Sequence, residues 1–288
     1  MKRICLVLSG IGLCVSSGFS EEPSAATVLS NMKAAFDKLT GFEVRLEQQM
    51  TGFVVANAAA KGRWAKPDEL FLSLERKDFT FTRAITGASF KTTKPGDGVN
   101  KNALLKRGNR AHFRSEPSDA WDKFAPSAAT TCSALLEVND IAPLPHSTMA
   151  DIMSRKSSAK ESDAETLESV ECRVVTVDGL SGDILALRRY VDGVTTSGTG
   201  PMKKQAEKAV AACPTDGKAS TAGCKLWIAK EGDRLMKLEV TTHLVILAAP
   251  DGKGAGTQDR VATWTLTGHE TDAKAAVKKL EEAAGLSR

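Results

Sequence analysis

The sequence lacks the local patterns that mark most active sites. No serine stands in a Gly-x-Ser-x-Gly turn, and no Cys-x-x-Cys pair offers the tight spacing of a zinc site. The histidines His112, His146, His243 and His269 all lie more than four residues apart. Each reads as an ordinary strand or turn residue, and no metal is implied. The stretch "DGKGAG" at 251–256 is rich in glycine but has no Gly-Lys-Ser/Thr to cradle a phosphate, so it reads as a hairpin turn. Asp and Glu are plentiful, but nothing in their spacing pairs them across a cleft. No cofactor is called for, there is no positive case for an enzyme, and a non-enzymatic protein is expected.

A strong charge of one sign is also missing. The chain has 39 Lys and Arg against 35 Asp and Glu. Without Lys2 and Arg3 the balance is 37 against 35, a net +2. That argues against a nucleic-acid partner, which needs a concentrated basic face. Beyond the N-terminus no apolar run reaches membrane-spanning length, and there is no internal repeat.

What is present begins with an export pattern. Lys2 and Arg3 form a short basic region, residues 4–15 are mostly apolar, and Gly18 and Ser20 are the small residues of a cleavage before Glu21. The expected mature chain, 21–288, has 268 residues and sits in the periplasm or is secreted. An uncleaved anchor, or lipidation at Cys14, is the competing reading. Leu13, directly before that cysteine, fits a lipidation signal poorly. Cys132, Cys172, Cys213 and Cys224 remain after cleavage. An even count in an exported chain points to disulfides, with three possible pairings. Cys213 and Cys224 bracket the turn-rich "CPTDGKASTAGC" and are paired locally, which leaves Cys132 with Cys172. Four free thiols are the alternative.

The pattern along the chain alternates between helix and strand. Residues 24–39 form a helix, with Val28, Met32, Phe36 and Leu39 on one face, Ser24 as N-cap and Gly41 beyond its end. Phe42, Val44 and Leu46 then alternate with Glu43, Arg45 and Glu47, the period of a strand with one wet face. Strands are expected at 70–75 and 78–84, and a hairpin over 102–115 turning at Gly108-Asn109. Helices follow at 127–138 and 147–155, the second capped by Ser147. Strands return at 172–179, 183–193, 225–247 and 259–268. Residues 194–224 are an insertion with a short basic helix. In the long late strand Met236, Leu238, Val240, Thr242, Leu244 and Ile246 share a face. A C-terminal helix places Ala273, Val277, Leu280 and Ala284 on one stripe. The outline is a single α+β domain on a large antiparallel sheet, with helices over its apolar face. Met149 and Met153 have two readings, core packing or the adaptable lid of an apolar cavity.

Four stretches resemble the bacterial lipoprotein-carrier superfamily, the LolA/LppX-like proteins. They are "VLSNMKAAFDKLTGFEVRLEQQM", the Gly-x-Trp turn in "KGRWAKPDELFLSL", "APLPHSTMADIM" and the later "CKLWIAKEGDRLMKLEVTTHL". The last two are similar to a periplasmic branch of unknown function. The resemblance covers most of residues 26–270 in patches. It implies an incomplete, curved antiparallel barrel whose concave face is closed by helices over an apolar cavity. It also implies a lipid or acyl chain as partner. The insertion at 194–224, and the absence of a clear match for the arginine that holds the lipoprotein carrier closed, set this chain apart from the shuttle itself.

On this reading Val44, Leu46, Leu238 and Val240 line the cavity from the sheet, with Met149 and Met153 from the lid. A monomer is expected, with other envelope proteins as further partners. An interaction or stress-sensing domain on the same scaffold, with no open cavity, is the alternative. The export pattern is checked by intact mass of envelope-fraction protein. The expected species begins at Glu21, and a mass retaining Lys2 and Arg3, or carrying acyl chains on Cys14, rules it out.

Overall fold

The computed structural model describes residues 22–66, 69–81, 85, 101–107, 110–115, 122–123, 144–196 and 200–286. The expected signal region, Cys132 and the expected helix at 127–138 lie outside them. The chain opens with helix α1 (Ala25–Lys38), whose Ser24 side chain accepts the Thr27 N–H as N-cap. Six strands follow in sequence: β1 (Gly41–Gly52), β2 (Val54–Ala65), β3 (Glu69–Phe81), β4 (Lys101–Arg107), β5 (Arg110–Ser115) and β6 (Asp122–Lys123). Helix α2 (Leu144–Ser154) leads to β7 (Lys160–Leu167) and β8 (Val170–Asp178). Helices α3 (Ser181–Thr195) and α4 (Gly200–Ala211) come next, then β9 (Thr221–Ala229), β10 (Leu235–Ile246), β11 (Gly256–Glu270) and α5 (Ala273–Ala283).

All eleven strands form one open, curved antiparallel sheet in the order β6-β5-β4-β3-β2-β1-β11-β10-β9-β8-β7. It is two meanders joined side by side. The first runs outward from β1 to β6. The second starts at the far edge with β7 and returns to pair β11 with β1, Leu46 opposite Trp264 and Val44 opposite Leu266. The β4–β5 pairing brings Arg107 opposite Arg110, as expected for the hairpin.

Alternation along β1 decides which face is which. Phe42, Val44, Leu46, Gln48 and Met50 are buried on the inner face, while Arg45, Glu47 and Gln49 are exposed on the outer one. Helices α1, α2 and α3 cover the inner face. Val28, Leu29, Met32 and Phe36 of α1 enter the same apolar cluster as Leu46, Trp264, Leu238 and Leu226. Leu187, Tyr190 and Val191 of α3 cover a second cluster around Met50, Phe53, Leu244 and Ile246. Helix α5 packs on the opposite face, where Ala276, Leu280 and Ala284 meet Ala65, Phe71, Ala103 and Leu105. A Cβ at Gly41 would lie 2.6 Å from that of Ala276, so glycine lets α5 sit on the start of β1.

Several sequence expectations are corrected. Residues 183–193 form helix α3, not a strand. Asp183, Leu187, Tyr190, Val191 and Thr195 are its buried positions, spaced at the helical period, whereas Leu185 is 62 % exposed. The expected strands at 70–75 and 78–84 are one strand, β3. Gly62 and Trp64 lie within strand β2, not in a turn. The backbones approach so closely there that a Cβ on Gly62 would stand 1.8 Å from the Phe71 carbonyl oxygen. Strand β7 was not expected, because "KESDAETL" offers no apolar alternation. Helix α2 starts at Leu144 rather than after Ser147, with Pro145 in its first turn where no N–H is needed. Met236 leaves the face of Leu238. A register shift between Leu235 and Lys237 turns it to the outer face, beside Cys172, Val174 and Trp227. On α5, Ala276 takes the buried place expected of Ala273, which is exposed.

The disulfides are also corrected. Cys172, Cys213 and Cys224 are free thiols. Cys224 points inward beside Val177 and Val240, Cys213 belongs to the second cluster under α3, and Cys172 lies on the outer face. Separate apolar clusters hold the three apart. Burial pushes the Cys224 thiol up to about 12, further from a reactive thiolate.

Leu238 is fully buried at the centre of the inner face. Leu238→Ala is expected to cost about 2–5 kcal/mol of stability in urea unfolding. Leu185→Ala, on the exposed side of α3, should stay within roughly 0.5 kcal/mol of wild type.

Candidate functional site

The inner face is built in transverse rows that run across the strands. Ala60, Leu46, Trp264, Leu238, Leu226 and Val175 form one row through β2, β1, β11, β10, β9 and β8. Gln48, Ala262, Val240, Cys224 and Val177 form the next. Met50, Arg260, Thr242 and Ala222 form the third. The rows follow from alternation on each strand combined with antiparallel register.

The structure brings the six expected residues into a single apolar layer. Val44, Leu46, Leu238 and Val240 lie on the sheet, and Met149 of α2 faces them in the same cluster. Met153, half-buried, packs against its edge. The five others are each 8 % exposed or less, so the lid is closed onto the sheet. A cleft of about 630 Å³ opens beside Gly223 and Thr241, and a groove of about 480 Å³ lies on the outer face between Arg45 and Arg114. Of the six, Val44 alone borders either one, at the groove.

Sequence reasoning missed the residue at the middle of the layer. Trp264 sits between Leu46 and Leu238 and is the largest fully buried side chain among the described residues. It also missed a buried polar belt. Gln48, Thr242, Gln258 and Arg260 all point inward from β1, β10 and β11, between and beside the two apolar clusters. Gln258 is fully bonded. Its Oε1 accepts the Val54 N–H at 2.8 Å, and its Nε2 donates to the carbonyls of Thr51 (2.9 Å) and Val54 (3.0 Å). Among the described residues the Gln48 Oε1 and Thr242 Oγ1 have no hydrogen-bond partner. The signal was legible: in "DRVATWTL" the alternation that buries Ala262 and Trp264 also buries Arg260.

Helix α3 brings the counter-charge. Asp183, in its first turn, places Oδ1 3.6 Å from the Arg260 guanidinium, and both side chains are buried. Burial pushes the Asp183 carboxyl above its ordinary 3.8, against the pull of Arg260, and Asp151 adds to the rise. Asp151 of α2 in turn accepts the Gly182 N–H of α3 at 3.0 Å through Oδ2. Its Oδ1 accepts from Arg155 Nε at 3.3 Å. The lid helices are thus fastened to one another by a carboxylate at a helix N-terminus, and to the sheet by one buried ion pair.

Among the described residues no group of three His, Cys, Asp or Glu side chains is placed to hold a metal ion. No helix among them is long and apolar enough to cross a membrane.

No protein-family model matches the chain, and no curated protein matches it. Among solved structures it is similar to lipoprotein LppX of Mycobacterium tuberculosis, at 11 % identity and a TM-score of 0.39, over 87 % of this chain and 97 % of that one. It is similar to LprF of Mycobacterium bovis at 11 % identity and a TM-score of 0.34, over 86 % and 93 % of the two chains. A LolA superfamily protein of Nitrosomonas europaea has 10 % identity and a TM-score of 0.23, over 88 % and 96 %.

The ion pair gives a sharp expectation. Arg260→Met leaves a buried carboxylate unpaired and should cost about 3–5 kcal/mol, whereas Asp183→Leu with Arg260→Met should recover much of that loss. The sign with pH is fixed by the raised folded-state pKa. The contribution of Asp183 is full below its unfolded value and is lost as pH rises through the folded one, more steeply without Arg260. Urea unfolding of both single variants and the double variant from pH 4 to 8 tests this. Strictly additive losses would show that the pair is not coupled.

Proposed function

We propose that this protein binds an apolar ligand, a lipid or lipoprotein acyl chain, between its sheet and its helical lid, as a non-enzymatic carrier-type protein of the cell envelope. One observation carries the reading. Val44, Leu46, Leu238 and Val240 form a wide apolar floor that is roofed by short helices, not by a second sheet, with Met149 and Met153 in the roof. Methionine-rich helices repack easily. Among the described residues the polar contacts of the roof include Asp151 to Gly182, Asp183 to Arg260 and Arg188 to the Cys213 carbonyl. An acyl chain that displaced α2 from the floor would gain about 0.8 kcal/mol per buried CH₂. A C16 tail therefore needs no charged anchor.

The tight packing of the same layer favours a second reading, an interaction or stress-sensing domain in which the lid stays shut and the surface carries the function.

Titration with a fluorescent C16 fatty acid separates the two. The carrier reading expects saturable binding, with both exchange rates several-fold faster in Asp151→Ala, where α2 is released from α3. It also expects roughly tenfold weaker binding in Met153→Asp, with a folded circular-dichroism spectrum. Wild-type protein that shows no saturable binding, together with native mass spectra free of copurified lipid, would leave the interaction reading in its place.

A further inference from the structure

The cleft of about 630 Å³ at the end of β8 changes character along its length. Its outer part is polar. Gly223 of β9 stands between Asp178 of β8 and Thr241 of β10 in one transverse row of the outer face. A Cβ on Gly223 would lie 2.8 Å from Asp178 Oδ1, so glycine keeps the floor of the cleft low. Its inner part is apolar, bordered by Ile184 of α3 and by Ala222 and Cys224 of β9. Ala222 and Cys224 belong to the apolar layer, and Ile184 packs against both that layer and the second cluster. The two parts meet where the chain leaves β8 through Gly179 to enter α3.

The polar groups of the cleft suit an uncharged head. Lys225 is paired with Glu165 at 2.7 Å, and Glu239 with Lys237 at 3.6 Å. Asp178 has neither a hydrogen bond nor an ion pair among the described residues. Its carboxylate accepts from hydroxyl groups and repels phosphate or carboxylate heads. A second unmet group lies at the inner end. Thr242 stands directly opposite Ala222 and is fully buried, and its Oγ1 has no hydrogen-bond partner among the described residues. Buried hydroxyls are nearly always bonded, and one left unmet is costly. An ester carbonyl is an acceptor that carries no charge and can take that hydroxyl proton. Beyond Thr242, Val240 and Leu238 continue the same face of β10 into the acyl floor.

We infer that this cleft is the mouth of the acyl layer and takes the head of a neutral, hydroxyl-bearing acyl ester, a monoacylglycerol-type lipid. The glycerol hydroxyls donate to Asp178, the ester carbonyl accepts from the Thr242 hydroxyl, and the tail runs past Ile184 onto Val240 and Leu238. The inference rests on the carrier reading and adds to it the class of head and the point of entry.

The test uses the whole mature chain and displacement of a fluorescent C16 fatty acid. 1-Monopalmitoylglycerol is expected to displace it about tenfold more effectively than palmitate, whose charge meets Asp178. Asp178→Ala should weaken monopalmitoylglycerol binding about fivefold or more. Palmitate affinity should stay level or rise in that variant, since a repelling charge is gone. Thr242→Val should weaken monopalmitoylglycerol binding similarly while the unfolding temperature stays level or rises, because a methyl group of the same shape replaces an unmet buried hydroxyl. A purely structural threonine would instead move the unfolding temperature and leave affinity alone. Thr241→Trp, at an exposed position, narrows the mouth and should slow uptake and release several-fold. Suppose the fluorescent acid binds, but palmitate displaces it as well as monopalmitoylglycerol does, or Asp178→Ala and Thr242→Val leave monopalmitoylglycerol affinity unchanged. Either result overturns the mouth and leaves the carrier reading standing. Exchange rates unchanged in Thr241→Trp overturn it in the same way. No saturable binding of any of these lipids overturns both.

Discussion

Within the sheet, the two halves of the chain meet where β1 lies against β11. Eleven residue pairs run from Gly41 opposite Glu270 to Gly52 opposite Gln258. Each meander pairs its strands in sequence order, but neither has a complete core without the other. Leu46 needs Trp264 beside it, and Trp264 needs Leu238 on its other side. Separated, each half would also present a long bare edge strand. The seam joins residues more than two hundred positions apart, so loop-closure entropy opposes it and its apolar rows must offset that cost. Such non-local pairing makes for slow folding.

A seam of this kind is exposed to register error. A slip of one residue in β1 would turn Glu43, Arg45 and Glu47 toward α1 and expose Val44 and Leu46. The buried polar belt works against that slip. Gln258 binds three main-chain groups at the β1–β2 connection, a geometry that only one register satisfies. Arg260 meets Asp183 only when β11 presents it inward beneath α3. A buried ion pair is weak support for stability. Here it ties the position of a lid helix to the register of the central strands, so lid and seam are set together.

The features legible in the sequence were those with a strong local period. The alternation of β1, the stripe of α1 and the run of β10 from Leu238 onward each bury what they were expected to bury. The misses have physical causes. Helix α3 was read as a strand because "DILALRRYVDG" is rich in β-compatible residues, and its buried positions include the polar Asp183 and Thr195. Strand β2 was hidden by its alanines and glycine, which carry little β signal but let β1 and β3 approach. The bulge at Met236 cannot be seen in an alternating pattern, because it interrupts pairing and leaves composition untouched. The cysteine pairing failed because loop proximity in sequence says nothing about which face of a sheet each thiol occupies. Val44, Leu46, Leu238 and Val240 were placed by strand alternation, and Met149 and Met153 by their place on a short helix. Trp264, at their centre, came from a strand whose face had not been assigned.

Alternation also explains how one strand can serve two surfaces. Along β1, Val44 and Leu46 enter the apolar layer, while Arg45 between them lies on the other side. The strand period of two fixes these opposite assignments together. A substitution on one face leaves the other chemically unchanged provided the register holds. The outer face can therefore carry charge that would be prohibitive a few ångströms away in the inner layer. Helix α5 stands beside the groove and leaves it open. It covers Ala65, Phe71, Ala103 and Leu105, the apolar part of the outer face, and stops at Ala283, where the groove begins.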